Sequence, residues 1–213
     1  MSVLQPFLFG FLAAVVGVFP PGLINMTATK ISLTEGKKQA MFFVLGALTI
    51  IYFQTYISVI FAEYIDYHKE VMLVFREIGL AVFTVLSFYF LVFAKKTIVL
   101  KSGELRVKSK RSRFFMGTII AAINFFPIPY YVLISITLAS FGLFTFNAFP
   151  IYSFVFGVVA GSFLIFYLYV VFFNKMKSKT DFFVANMNKI IGTITGVVAL
   201  FTLIHVVKYY INQ

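Results

Sequence analysis

Six runs of apolar residues, at 3–24, 40–62, 71–94, 114–144, 150–174 and 188–211, divide the chain, with short polar segments between them. A transmembrane helix needs about 20 mostly apolar residues, so each run predicts one crossing. Two of the runs are interrupted. Pro20, Pro21 and Gly22 stand at the end of the first, with Asn25 close behind, and the fourth contains Asn124, Pro127 and Pro129. Proline removes a backbone donor and clashes with the preceding turn, so a helix bends or stops there. In lipid, backbone groups freed in this way are costly unless protein or a water-filled cavity satisfies them. Both breaks therefore predict a cavity at membrane depth, and two breaks in matching halves of a chain point to a transporter site.

The breaks lie half a chain apart, and Gly46 with Gly157 and Gly79 with Gly192 are similarly spaced. A repeated unit of three spans must insert the second time upside down, because three is odd. The expected fold is an all-α integral membrane protein with six transmembrane helices, arranged as two inverted-topology three-helix repeats in which helices 1 and 4 are broken. The repeat halves fall at about 1–98 and 112–213, joined by a basic linker at 95–113, within a single transmembrane domain over 1–213.

Composition agrees. The 213 residues are 61% hydrophobic and 12% charged, with a mean hydropathy of +0.98, which excludes an ordinary soluble domain. The net charge of +11 raises the question of nucleic acid, but its placement answers otherwise. Of 18 basic residues, all but Lys69, Arg76 and Lys208 lie after the first, third or fifth run. By the positive-inside rule those loops face the cytoplasm and both termini lie outside. No nucleic-acid partner is expected. The 95–113 cluster reads as a topology determinant touching anionic lipid, or as a docking site for a soluble partner. Cysteine is absent, which removes disulfides and thiolate metal sites, and neither a metal nor a cofactor is expected. The first run lacks a basic leader and reads as a retained span.

Few polar residues fall inside the runs. Gln54 sits in mid-span, where it is either an interhelical hydrogen-bonding group or a substrate contact. Tyr130 follows the second break. Of the seven acids, Glu35, Glu104 and Asp181 are expected in cytoplasmic loops and Glu63, Asp66 and Glu70 at the outer surface, which leaves Glu77 as the one acid within a span; counted from Val71, it lies roughly 9 Å below the surface. It is either an interfacial anchor or a proton carrier, and His205, in the sixth run, is either a packing residue or a relay. Gly157 with Gly161 and Gly192 with Gly196 form GxxxG patterns, read as intramolecular packing or as a dimer seam. No metalloprotease or serine-hydrolase motif is present, so the chain is not expected to be an enzyme. Half-helix amino termini suit a carboxylate and unwound carbonyls suit an ammonium group; together they predict a small zwitterionic cargo held by Pro21, Gly22, Asn25, Gln54, Asn124, Pro127, Pro129 and Tyr130. A membrane scaffold is the alternative.

The run Pro21, Gly22, Leu23, Ile24, Asn25, followed by Gly36, Lys37, Lys38, Gln39, Ala40 and then Leu45, Gly46, resembles the amino-terminal signature of the LysE/RhtB-type amino-acid exporters. Leu23 and Ile24 stand where that family carries Pro and Asn, and Phe125 and Phe126 follow Asn124 where it carries Pro and Lys. The resemblance implies a six-helix inverted-repeat exporter, often a homodimer, that moves amino acids or similar small metabolites out across the bacterial inner membrane by alternating access. Without a nucleotide-binding motif, the proton gradient is the expected energy source, with Glu77 or His205 as the coupling group.

Overall fold

The computed structural model describes residues 4–20, 22–68 and 109–172, together with scattered positions within 77–93 and 189–211. Among the described residues every regular element is helical and there is no strand. In chain order these are α1 (Leu4–Val18), α2 (Leu23–Glu35), α3 (Lys37–Tyr67), a π-helical turn (Tyr89–Phe93), α4 (Lys110–Ile123), α5 (Pro127–Ser140) and α6 (Ala148–Phe172). The predicted third and sixth spans fall largely outside the described residues.

Among the described residues, only α3, of 31 residues, and α6, of 25, are individually long and apolar enough to cross a membrane. The pairs α1 with α2 and α4 with α5 reach that threshold jointly, bent by 74° and 63° respectively. The described residues thus hold two to four candidate crossings. The apolar run at 3–24 is not one helix: α1 stops before Pro20, and the chain restarts as α2, which continues to Glu35. The predicted fourth span is likewise split at Asn124.

Side-chain placement is that of a protein solvated by hydrocarbon. Leu4, Leu8, Leu12 and Val16 are exposed on α1, and Phe53, Ile57 and Phe61 on α3, whereas Gln54, Thr55, Ser58, Ser135 and Ser162 are buried. Apolar outward and polar inward is the reverse of a water-soluble helix, and patches of this extent on an aqueous surface would associate.

The contacts separate two compact units. One comprises residues 1–64 and 102–177, the other 65–101 and 178–213. In the first, glycines let helix backbones touch. A Cβ at Gly10 would fall on the Phe154 carbonyl, one at Gly157 on the Phe7 carbonyl and one at Gly161 on the Phe11 carbonyl. Phe7 meets Gly157, Phe11 meets Gly161 and Phe19 meets Tyr169, so residue numbers rise together and α1 and α6 run parallel. In the same way, a Cβ at Gly46 would fall on the Phe114 carbonyl and one at Gly117 on the Phe43 carbonyl. Gln54 reaches Ala121 further along, so α3 and α4 also run parallel. Rings pair Tyr52 with Phe156 and Tyr56 with Tyr152, in opposite order, which makes α3 antiparallel to α6. Gly36, at φ +98°, turns α2 into α3 through backbone space that side chains avoid. In the second unit, a Cβ at Gly192 would meet Leu91 and one at Gly196 would meet Ser87, and the Ser87 hydroxyl donates to the Gly192 carbonyl at 2.8 Å. Both GxxxG patterns serve packing within the chain.

Candidate functional site

At the first break, Pro20 and its neighbours leave carbonyls without helical donors, and side chains take them up. The Asn25 amide donates to the Val18 carbonyl at 2.7 Å and to the Pro20 carbonyl at 2.9 Å, and the Tyr169 hydroxyl of α6 donates to the Phe19 carbonyl at 2.8 Å. Asn25 is buried to 2% exposure. Gly22 caps α2 with backbone alone, and no side chain satisfies the first turn. That turn, with Leu23 exposed and Ile24 and Asn25 buried, carries the positive end of a 13-residue helix. Below it, Ser32 donates to the Val170 carbonyl at 2.9 Å and holds α2 along α6.

The second break is treated in the same manner from the other long helix. The Gln54 amide donates to the Ala121 carbonyl at 3.1 Å and to the Asn124 carbonyl at 3.0 Å. Asn124 terminates α4, and its backbone amide donates to Ala121. Here the start of α5 offers little to an anion: Pro127 and Pro129 have no amide, and the amides of Ile128 and Tyr130 donate to the carbonyls of Phe125 and Phe126. Only the α2 end keeps an uncapped first turn. Gln54 is buried, and its Oε1 accepts no hydrogen bond among the described residues.

Tyr130 joins the two breaks. Its hydroxyl donates to the Ala13 carbonyl at 2.9 Å and its ring lies where a Cβ on Gly17 would stand. The structure therefore brings Gln54 to Asn124 and Tyr130 to the first span, while Asn25 closes its own break. Pro127 is half-buried, and Gly22 and Pro129 are exposed. Pro21 and His205 lie outside the described residues. Glu77 is exposed, and its carboxylate accepts a hydrogen bond from the Tyr210 hydroxyl at 2.6 Å. The predicted role of unwound carbonyls as ammonium ligands meets a competitor at both breaks, because those of Val18, Phe19, Pro20, Ala121 and Asn124 already accept hydrogen bonds.

One expectation is overturned. Glu35 is not in a solvated loop: it is the last residue of α2 and is buried against Arg113 of α4. The Arg113 Nε donates to Glu35 Oε2 at 2.8 Å, and Nη2 pairs with Oε1 in the same fork. Glu77 is consequently not the only acid within the helical body. The adjacent Gly36, Lys37 and Lys38 disguised Glu35 as part of a polar turn. A signal was nonetheless available: Ile24, Ala28, Ile31 and Glu35 recur at helical spacing and are all buried, as are Arg113, Gly117 and Ala121. Burying two charges is tolerable only because each satisfies the other in bidentate geometry.

Compared with protein-family models, with curated proteins and with solved structures, the chain finds no match in any of the three.

Proposed function

We propose that the chain is a secondary transporter that exports amino acids or similar small zwitterionic metabolites, with six spans arranged as two inverted three-helix repeats of the LysE/RhtB type. The observation that carries this reading is the pair of helix breaks, each braced by a side chain from the other half of the chain. Tyr169 of α6 serves the first break, and Gln54 of α3 serves the second.

The helix contacts support the inverted repeat. Phe7 and Phe114, Gly10 and Gly117, Ala14 and Ala121, and Pro20 and Pro127 are equally spaced, and Phe43 with Phe154 shares its spacing with Gly46 and Gly157. The contact of Gly10 with Phe154 becomes that of Gly117 with Phe43, and the contact of Gly157 with Phe7 becomes that of Gly46 with Phe114. Because α3 and α6 are antiparallel, this exchange inverts the pair, as a two-fold axis in the membrane plane requires.

In this reading the uncapped α2 terminus receives the cargo carboxylate, and Tyr130 controls passage between the breaks. The Glu35–Arg113 pair closes the cytoplasmic side by tying the end of α2 to the start of α4, and opening that side requires the pair to separate and hydrate. Export runs against a gradient on the proton-motive force, with Glu77 and His205 as coupling candidates. The protein lies in a bacterial inner membrane with both termini outside, as a monomer or a homodimer.

Untargeted metabolite profiling of medium from cells with and without the protein tests the proposal. At least one amino acid or related zwitterion accumulates outside only when the protein is present, and accumulation collapses with a protonophore. Identical media would overturn it.

A further inference from the structure

The first unit contains a cavity of about 240 Å³ built from none of the break residues, between the carboxyl-terminal half of α3 and the start of α6. Tyr56, Ile60 and Glu63 line one wall and Phe146, Ile151 and Tyr152 the other. The spacing of the first three puts them on one face of α3. The Tyr56 and Tyr152 rings stack with centroids 5.8 Å apart and planes 18° from parallel. One turn deeper, Tyr52 meets Phe156 at 5.9 Å.

Glu63 is half-buried in this wall, and among the described residues no Lys, Arg or His forms an ion pair with it. A carboxylate beside two aromatic rings favours a cation over an anion. Ring faces carry the negative part of the quadrupole and attract cations, while the carboxylate repels an anion and has no donor for a neutral carbonyl. A primary ammonium group satisfies both partners at once, with charge-assisted hydrogen bonds to the carboxylate and a ring face for its remaining side. The volume lies below the roughly 300–1,000 Å³ of pockets for drug-sized ligands, so the occupant is small.

We propose that this cavity binds the ammonium group of a small amine or amino acid, with Glu63 as its counter-ion and the rings of Tyr56 and Tyr152 as its walls. Binding here does not depend on the exporter reading. If the chain is an exporter, a clause that does rest on that reading, the cavity receives cargo at the extracellular end, since it lies at the far end of α3 from Lys37 and Lys38.

The test uses the full-length protein in detergent micelles at low ionic strength, titrated with butylammonium, butyrate and butanol and followed by saturation-transfer NMR. Butylammonium binds, and the other two bind at least about tenfold more weakly. Glu63→Gln lowers butylammonium affinity about tenfold, Glu63→Asp restores part of it, and Tyr152→Phe leaves it nearly unchanged. The proposal is overturned if wild-type protein fails to bind butylammonium, if butyrate or butanol binds as tightly, or if Glu63→Gln binds it unchanged. Should Glu63→Gln fail to fold, the wild-type comparison of the three probes decides alone. Selective binding without solute efflux would sink the exporter reading and keep the site; efflux without selective binding would do the reverse.

Discussion

At the residue scale, Asn25, Gln54, Glu35 and Arg113 each answer a specific deficit inside the helical body. Asn25 and Gln54 carry amides that donate twice, and both donations go to carbonyls released where a helix stops. Serine or threonine, with one donor, would leave one carbonyl open. Glu35 and Arg113 answer a different deficit, since each is a charge that burial would otherwise forbid. Removing either leaves the other unpaired, and loss of one partner of a buried pair costs about 3–5 kcal/mol. Glu35→Gln and Arg113→Gln are each expected to lower the thermal unfolding midpoint in detergent markedly, and the exchange Glu35→Arg with Arg113→Glu to recover a large part of the loss. A double exchange no more stable than the sum of its single changes would mean that the pair contributes little.

At the element scale, the pairing of helices depends on backbone approach. Phe7, Phe43, Phe114 and Phe154 present carbonyl oxygens to Gly157, Gly117, Gly46 and Gly10, and those oxygens occupy the space of a Cβ. Without a hydrophobic drive between helices in lipid, such close packing is a main source of association. Alanine at Gly10 or Gly117 therefore forces the helices apart and is expected to lower the unfolding midpoint. Among the described residues, no atom outside its own stretch of helix lies within 4 Å of a would-be Cβ at Gly79, so Gly79→Ala is expected to be neutral or stabilising by up to about 1 kcal/mol from helix propensity. Equal effects at Gly10 and Gly79, measured by thermal unfolding in one detergent, would contradict backbone contact as the cause.

At the scale of the whole molecule, the basic residues and the helix directions give compatible orientations. Lys37 and Lys38 begin α3 and Lys110 and Arg111 begin α4, and the two helices run parallel, which sets both basic starts at the same end. Lys110 lies over the Phe42 ring at 5.6 Å, and Arg111 over the Phe115 ring at 5.8 Å, so the charges are anchored where the apolar surface begins. A single cysteine in the 101–110 segment, introduced into a chain that has none, is expected to react with an impermeant thiol reagent in inverted vesicles and to stay unlabelled in intact cells. Labelling in intact cells would reverse the orientation.

Much of the helical layout was legible in the sequence, because its causes are local. Proline cannot donate, so Pro20, Pro127 and Pro129 announced the interruptions, and the apolar runs around Gly46 and Gly157 announced the two long helices. The polar stretch after Asn25 proved to be helical as far as the Gly36 turn. Tertiary structure decided which groups meet. Asn25, singled out as a cargo ligand, donates to its own break, and the acid buried among the helices is Glu35, whose partner stands 78 positions away. No local pattern encodes that distance. The sequence fixes which groups each helix face offers, but whether a buried amide, carboxylate or guanidinium is satisfied depends on what the opposing helix presents to it, and that is settled only when the backbones close to the contact their glycines allow.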